Sequence, residues 1–505
     1  MLIAKFMNYT NNMKREGHKY YILNDEWTAT TVTAKSGLFP ELSLKIITNE
    51  KDFSTLHDEW NELVLKSSSS IYQTFEWQFY WWKYFASDNQ YTLHIILIYL
   101  SGKLIGIAPF FIQNYSIKNF RIFQRLRLIG CGLNLGESSS NAIEEDGLSD
   151  YLDIISDKSY QSQTAYSVTA YLKEFNNLFD EIDFQNISQE SFIYNYVIPL
   201  LGKNDFFIKM FLTDICPKLK VPASLDLYLQ MVKSNTRRRL RQSLKQTNED
   251  SICIIEDVFG FNFQSAFQHL KQLHQKRWNE LGYLGLFSDE RFGKFQDQVC
   301  KKFIEKGWLW FKVLKQNNKI IAARLGFNFN NSVYDYLSGF DNSQSSAAIR
   351  PGMILILSMI DFAIDKGMQT VDFLRGAEEY KSEISTSVSH NYRAIIKSSA
   401  TSGIIKNISF IIIKNRNSVM HRLRFEKSII NLHIKQYGLK TFLSFYIKFC
   451  FGRLKSLLFK HSYDREWKPK ASKFNDEQKN PSKLKEKHIN LKTRKKEVRE
   501  TEIDV

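Results

Sequence analysis

A run of ionisable side chains near residue 375 is the part of the sequence best equipped for chemistry. It reads Asp372–Phe373–Leu374–Arg375–Gly376–Ala377–Glu378–Glu379–Tyr380–Lys381. The Asp-Phe pair is predicted to lie on a short strand, and ligands of α/β proteins usually bind just beyond such strand ends. We therefore expect Arg375 and Lys381 to contact the substrate. The candidate catalytic groups beside them are Asp372, Glu378 and Tyr380, with Glu379 as a second possible base.

A helix start at residue 350 offers an anion-binding site. Arg350, Pro351 and Gly352 precede an apolar stretch that begins at Met353 and reads as a helix. Proline is favoured in the first turn of a helix, glycine lets a ligand approach the backbone, and arginine adds positive charge. We expect Arg350, Gly352 and Met353 to bind an anionic group of a donor molecule. An ordinary capped helix start is the alternative.

Three further residues complete the candidate set. Tyr336 and Asp341 lie in a β-rich segment just before this helix and are expected to bracket the same cleft. Arg238 belongs to the basic run 237–241, which could hold a phosphate of an acceptor or of a membrane lipid. An amphipathic helix with a solvated basic face is the alternative for that run. No cluster in the sequence has metal-ligand spacing, so no metal site is predicted.

The elements that must position these residues occur twice along the chain. A hairpin pattern over residues 93–112 returns about 215 residues later, over residues 309–329. Each hairpin follows Leu-His and Trp-Asn-Glu-Leu motifs, and each precedes a tyrosine-bearing strand, a helix and an Asp-Phe pair. A repeat this long indicates two copies of one domain, because solenoid units are about 20–50 residues. His274 recurs in the first copy as His57, which favours a packing role for both.

Each copy reads as strand, helices, antiparallel hairpin, strand, helix and strand. That order predicts an α/β fold with tandem mixed sheets flanked by helices. We expect a degenerate first domain over residues 41–200 and a catalytic second domain over residues 201–400, since only the second copy has the Arg-Gly and Tyr-Lys elements. Residues 1–40 are predicted to be a mobile arm.

The motifs of the second copy resemble the FemAB-like and CelD-like acetyltransferase branch of the GNAT superfamily. The resemblance covers roughly residues 170–400 and is most specific in the Asp-Phe…Arg-Gly…Tyr-Lys ending, at residues 372–381. Proteins of this branch are themselves tandem GNAT domains, which agrees with the duplication.

This resemblance implies transfer of an acyl group from acyl-coenzyme A to an amine or hydroxyl. A backbone N–H at a strand bulge would polarise the acyl carbonyl, and Tyr380 would protonate the leaving thiolate. The habits of the branch imply a cell-envelope or polysaccharide precursor as acceptor. Two alternatives stay open: a FemAB-type peptidyltransferase that uses aminoacyl-tRNA, and a non-catalytic accessory protein of a membrane polysaccharide synthase.

The basic charge of the chain lies outside this α/β body. The net charge is +16 over 505 residues, and residues 401–505 hold 25 Lys and Arg against 10 Asp and Glu. Residues 401–460 interleave this charge with aromatic and aliphatic residues, which predicts basic amphipathic helices on an anionic membrane surface. The Lys-rich residues 461–505 are predicted to be disordered. Nucleic acid is the rival partner, and the apolar content disfavours it outside the tRNA alternative.

The cysteines and the hydropathy pattern indicate a compartment. Five scattered cysteines fit a reducing environment, and no run approaches the ~20 apolar residues of a membrane span. We therefore expect a cytoplasmic protein that is peripheral at the inner face of the cell membrane.

Overall fold

The computed structural model describes most of the predicted α/β body. The described residues are 20–22, 31–34, 42–86, 90–117, 120–133, 147–204, 206–248, 253–280, 285–341, 343 and 349–398. The predicted amphipathic helices and tail at residues 401–505 lie outside them. Within these ranges the chain forms one mixed sheet of 15 strands with helices packed on it, and the predicted α/β class is confirmed.

Two runs of elements follow each other along the chain. The first run contains β1 (Tyr20–Ile22), β2 (Thr31–Ala34), β3 (Leu42–Ile47), α1 (Glu50–Ser54), α2 (His57–Lys66), α3 (Phe75–Phe85), β4 (Tyr91–Leu100), β5 (Lys103–Ile117), β6 (Phe120–Leu128), β7 (Ile155–Ser156), α4 (Gln161–Glu174), β8 (Glu181–Ser188) and α5 (Ile198–Gly202). The second run contains β9 (Phe206–Lys220), α6 (Leu225–Met231), α7 (Ser234–Asn248), β10 (Cys253–Asp257), α8 (Phe263–Glu280), α9 (Glu290–Glu305), β11 (Leu309–Gln316), β12 (Lys319–Phe329), β13 (Ser332–Phe340), α10 (Pro351–Asp365), β14 (Thr370–Asp372), α11 (Glu379–Ile384) and β15 (Ser387–Ser398).

The two runs build matching halves of the sheet. In each half an antiparallel series of strands ends in one parallel pair, β6 with β8 in the first half and β13 with β14 in the second. The next strand in the chain after each parallel pair joins the other half of the sheet. β9 follows β8 in the chain and pairs with β14, whereas β15 follows β14 and pairs with β8. β9 and β15 also pair with each other. This exchange joins the halves into one continuous sheet.

The stretch predicted to be a mobile arm contributes to this sheet at two places. β1 pairs with β2, and β2 pairs with β3, all antiparallel. The sheet therefore extends past the first residue of the predicted domain. No helix among the described parts of the chain is long and apolar enough to cross a membrane.

The aromatic helix α3 packs the two halves together. Trp77 is fully buried, and its ring meets the Phe295 ring of α9 edge-on with centroids 5.0 Å apart. The same indole lies 5.6 Å from the ring of Tyr336 on β13. Such aromatic contacts add about 0.5–1.5 kcal/mol each beyond their buried area. The first half thus supports the strand on which the candidate site lies.

Candidate active site

A cleft opens where the two parallel strands of the second half separate. β13 and β14 pair over three positions and stop at Tyr334 opposite Asp372, while β13 continues to Phe340. The cleft beyond this point has a volume of about 740 Å³, which lies in the range of small-molecule sites. Ligands of α/β sheets bind at such points, beyond the ends of the strands.

A β-bulge lies in the wall of this cleft. On β12 and β13, Leu325 is opposite Leu337 and Gly326 is opposite Asp335, so Tyr336 has no partner residue. Gly326 allows the bulge, because a Cβ there would overlap the carbonyl oxygen of Tyr334. A bulge leaves its extra residue outside the ladder of the sheet. The Tyr336 peptide is therefore a candidate donor to an oxyanion.

The phenol of Tyr336 is committed elsewhere. It accepts a hydrogen bond from Nε2 of Gln296 at 3.1 Å and donates one to the carbonyl of Leu148 at 3.4 Å. Burial raises the pKa of Tyr336 well above its ordinary range. Both contacts hold the Tyr336 side chain in place beside Leu148 of the first half, so its position fits structural support better than the predicted catalytic use.

The helix start lies at the same cleft, as the sequence predicts for Arg350, Gly352 and Met353, all of which line it. Arg350 is the N-cap of α10, with a left-handed φ of 56°, and its carbonyl accepts from the Met353 N–H at 2.9 Å. A Cβ at Gly352 would lie 3.3 Å from the ring of Phe340. The N–H groups of a first helical turn lack intrahelical acceptors and favour anions.

Arg277 on α8 is a functional candidate that the motif search missed. Its guanidinium lies over the ring of Phe340, 4.3 Å from the centroid, and this is the ring that contacts Gly352. Burial lowers the pKa of Arg277, and the group forms no ion pair with a described carboxylate. Its place one helical turn after His274 was the available signal, since residues three apart share a helix face.

The cations predicted to contact substrate are both engaged by the protein. The Arg375 Nε lies 2.7 Å from Oδ1 of Asp150, and its Nη2 donates to the carbonyl of Gly147 at 2.9 Å. Lys381 donates to the carbonyl of Arg375 at 2.7 Å and pairs with Glu378 at 3.1 Å. Burial disfavours the Lys381 ammonium, but Tyr380 and Glu378 outweigh this and raise its pKa. Both residues line the cleft, and both also hold its loop in place.

Tyr380 and Glu378 line the cleft and have fewer polar partners than Arg375 and Lys381. The Tyr380 hydroxyl makes no hydrogen bond within the described part of the chain, and burial, followed by the Asp335 carboxylate, raises its pKa. The phenol therefore remains protonated near pH 7 and can donate a proton. Glu378 is half-exposed and pairs only with Lys381 among the described residues.

Asp341 lies at the rim of the cleft, and two other candidates lie away from it. The Asp341 carboxylate accepts from Nζ of Lys276 at 2.9 Å, and this bond is the main reason why its pKa is lowered. Asp372 accepts from the Tyr151 hydroxyl at 2.9 Å and lines a separate polar pocket, so its position fits structural support. Arg238 is exposed on α7 and does not line the cleft.

A family model described as an acetyltransferase (GNAT) domain matches residues 234–382. Over this segment the chain is similar to GNAT acetyltransferase domains. The predicted resemblance to the GNAT superfamily is thus confirmed. The matched segment supplies the bulge, the helix start and the whole 372–381 loop, whereas Gly147, Leu148 and Asp150 of the cleft come from outside it.

Several solved structures are similar to this chain. FemX has 11% identity, covers 67% of this chain and 95% of its own, and gives a TM-score of 0.47. L-PGS from Bacillus licheniformis has 11% identity, with 71% of this chain and 96% of its own covered and a TM-score of 0.41. A tandem GNAT protein from the clavulanic acid biosynthesis pathway has 7% identity, with 70% and 98% covered and a TM-score of 0.35. No curated protein matches the sequence.

Proposed function

We propose that this protein transfers an acyl group from an acyl-coenzyme A thioester to an amine or hydroxyl in the cleft. The observation that carries the proposal is the meeting of three features at one place: the separation of β13 from β14, the bulge at Tyr336 and the start of α10. A thioester acyl transfer needs a polarised carbonyl, an anion site for the donor and a proton for the thiolate. The bulge offers an N–H to polarise the carbonyl, the start of α10 offers the anion site, and the separation of the strands provides the space between them.

The donor's phosphates fit the start of α10. Gly352 leaves the first turn of the helix accessible beside Phe340, and Arg277 and Arg350 bring two cations that have no carboxylate partner among the described residues. The helix dipole adds favourable charge interaction at this end, worth about 0.3–1 kcal/mol for an exposed anion. The other charged groups of the cleft are already paired, so an anion would interact mainly with these two arginines.

The acyl carbonyl would lie at the bulge. Its oxygen would accept from the Tyr336 N–H as the acceptor attacks and negative charge develops there. The new bond to the acceptor forms, the carbon–sulfur bond breaks, and the thiolate takes the Tyr380 phenol proton. The Tyr380 hydroxyl has no competing protein partner in the described part of the chain, which supports this role.

The acceptor class and the location complete the proposal. We infer a cell-envelope or polysaccharide precursor as acceptor from the family resemblance, and attachment to an anionic membrane surface through residues 401–505 from their charge surplus. A location at the membrane would bring the cleft close to lipid-linked precursors.

Calorimetric titration of the whole protein with acetyl-coenzyme A tests the donor site. Gly352→Asp should weaken binding at least tenfold, or ~1.4 kcal/mol, because it places a carboxylate where the phosphates bind. Gly260→Asp is the matched control, since a Cβ at that exposed position meets only Ile304, at 3.9 Å. Unchanged binding by Gly352→Asp would place the donor elsewhere. Absence of binding by the unaltered protein would favour the tRNA-dependent or accessory alternatives.

A further inference from the structure

His274 has one nitrogen in use and one without a partner. The side chain lines the cleft from α8, is 5% exposed, and its Nδ1 lies 3.1 Å from the carbonyl oxygen of Ser338. Its Nε2 is buried and has no hydrogen-bond partner among the described residues. An unsatisfied buried polar atom costs about 1–3 kcal/mol, so this nitrogen would gain from a hydrogen-bonding group bound in the cleft.

The carbonyl of Ser338 determines the tautomer of His274. A carbonyl only accepts, so Nδ1 must carry the hydrogen and donate it. Burial lowers the pKa of His274 to about 4, which keeps the ring neutral near pH 7. Arg277 is the charged neighbour that acts in the same direction. Nε2 therefore presents a lone pair, which can accept a hydrogen bond and then a proton.

Close packing of α8 on β13 brings His274 to the cleft. A Cβ at Gly339 would lie 2.8 Å from Cβ of Leu273 and 3.0 Å from the carbonyl oxygen of Leu270, so only glycine lets α8 approach this strand so closely. Ser338 is two residues from Tyr336, which corresponds to about 6.6 Å along a strand. His274 and Tyr336 both line the cleft, so a reacting group bound there can meet both residues.

The corresponding histidine of the first half differs in this respect. His57 is half-exposed, and both of its nitrogens face acids: Nδ1 lies 2.6 Å from Asp58 and Nε2 lies 2.8 Å from Glu76. The packing role predicted for both histidines thus describes neither fully. Of these two histidines, only His274 has a ring nitrogen without a hydrogen-bond partner among the described residues.

We infer that Nε2 of His274 binds the attacking group of the acyl acceptor, an amine or hydroxyl, and takes its proton during transfer. The inference rests on the proposed acyl transfer and specifies the acceptor side of the same cleft. The acceptor nitrogen or oxygen bonds to the acyl carbon, its proton passes to Nε2, and the carbon–sulfur bond breaks. The thiolate takes the Tyr380 proton, and solvent then moves a proton from the imidazolium to the phenolate.

His274→Asn and His274→Gln separate the two nitrogens. The asparagine amide can replace Nδ1 as donor to Ser338 but has no group at the Nε2 position. The glutamine amide oxygen can reach that position and accept a hydrogen bond, but it cannot take a proton. The assay follows thiol release from acetyl-coenzyme A with D-glucosamine as probe acceptor. If glucosamine does not raise the rate of thiol release above the rate without acceptor, the variants are compared by their rates of acetyl-coenzyme A hydrolysis, in which water is the nucleophile.

If His274 is the general base, His274→Asn should lower kcat/KM about 10²-fold or more. The affinity of this variant for acetyl-coenzyme A should stay within twofold of that of the unaltered protein. His274→Gln should keep KM for the probe near the unaltered value and lose kcat. His274→Asn should unfold somewhat earlier than the unaltered protein, because its smaller side chain loses packing against the Phe287 ring. The assay is therefore run well below the melting temperature, where a purely structural histidine predicts unchanged turnover.

His94→Asn is the matched control. His94 is also buried, burial also lowers its pKa to about 4, and its Nε2 is paired with the Tyr171 hydroxyl at 2.8 Å. Its replacement should reduce stability and leave turnover unchanged. Turnover of His274→Asn within threefold of the unaltered protein would overturn the inference while leaving acyl transfer intact. Failure of the unaltered protein to bind acetyl-coenzyme A, or to release its thiol, would instead defeat the proposed function on which the inference depends.

Discussion

Arg375 should prove as important for stability as for transfer. The guanidinium joins the loop after β14 to the first half through Asp150 at 2.7 Å and the Gly147 carbonyl at 2.9 Å. Only 20% of the Arg375 side chain and 6% of the Asp150 side chain are exposed. Arg375→Ala would therefore leave a carboxylate buried without its cation. The sequence alone predicted a substrate contact, whose loss would leave folding intact.

The expected cost follows from the burial of the pair. Removing one partner of a fully buried ion pair costs about 3–5 kcal/mol. Because Arg375 keeps some contact with solvent, we expect about 2–3 kcal/mol for Arg375→Ala. At an unfolding entropy of about 2.1 cal/mol/K per residue, a body of more than 300 residues loses only about 1.4 °C per kcal/mol, so the melting temperature should fall by roughly 3–4 °C.

A double-mutant cycle measures whether this cost belongs to the pair. Arg375→Ala, Asp150→Asn and the double variant are compared by thermal unfolding followed by circular dichroism. The double variant should be more stable than the sum of the single losses predicts, by about 1–3 kcal/mol. Arg238→Ala is the control, since that arginine is exposed on α7 outside the cleft. Strict additivity, or an Arg375→Ala protein that melts like the unaltered one, would refute the reasoning.

Three further outcomes are expected. Burial raises the pKa of Asp372 to about 6, so the folded protein binds more protons than the unfolded chain between about pH 4 and pH 6. Its stability should fall by up to about 3 kcal/mol as pH rises through that window, and urea unfolding of Asp372→Asn should lack this component. Gly376→Ala should unfold earlier than Gly260→Ala, because Gly376 has a φ of 126° and a Cβ there would overlap Oε2 of Glu378. The full chain should sediment with anionic vesicles and not with neutral ones, and partly detach in high salt, whereas a chain ending at residue 400 should stay in solution; equal sedimentation of both would exclude membrane attachment through residues 401–505.

Local patterns were sufficient for most helices and strands. The apolar helix predicted to start at Arg350–Gly352 is α10, Pro351–Asp365, and the second hairpin is β11 and β12. The helix start and the 372–381 loop were recognisable as parts of one site because they follow each other within about 30 residues, whereas the sequence did not locate the bulge at Tyr336. Helical and strand periodicity depend on neighbours in the chain, so a single sequence carries them.

Tertiary contacts overrode the local pattern at residues 151–155. That stretch is predicted to be a tyrosine-bearing strand, but only Ile155–Ser156 form one. The carbonyl of Tyr151 accepts from Oγ of Ser70 at 3.3 Å, and the N–H of Leu152 donates to Asn186 at 2.9 Å. These partners are distant in the sequence and take the backbone groups that a ladder would need.

The composition of the cleft was likewise decided by the tertiary structure. Arg277 and His274 lie about 60 residues before the bulge, and they reach it only because Gly339 allows α8 to pack closely on β13. Arg375 is held by a carboxylate more than 200 residues earlier, across the boundary between the halves. Residue type and local spacing indicate what a side chain can do. Which partner a side chain contacts depends on long-range packing. For this reason the sequence indicated the residue types of the site more fully than the roles of its individual residues.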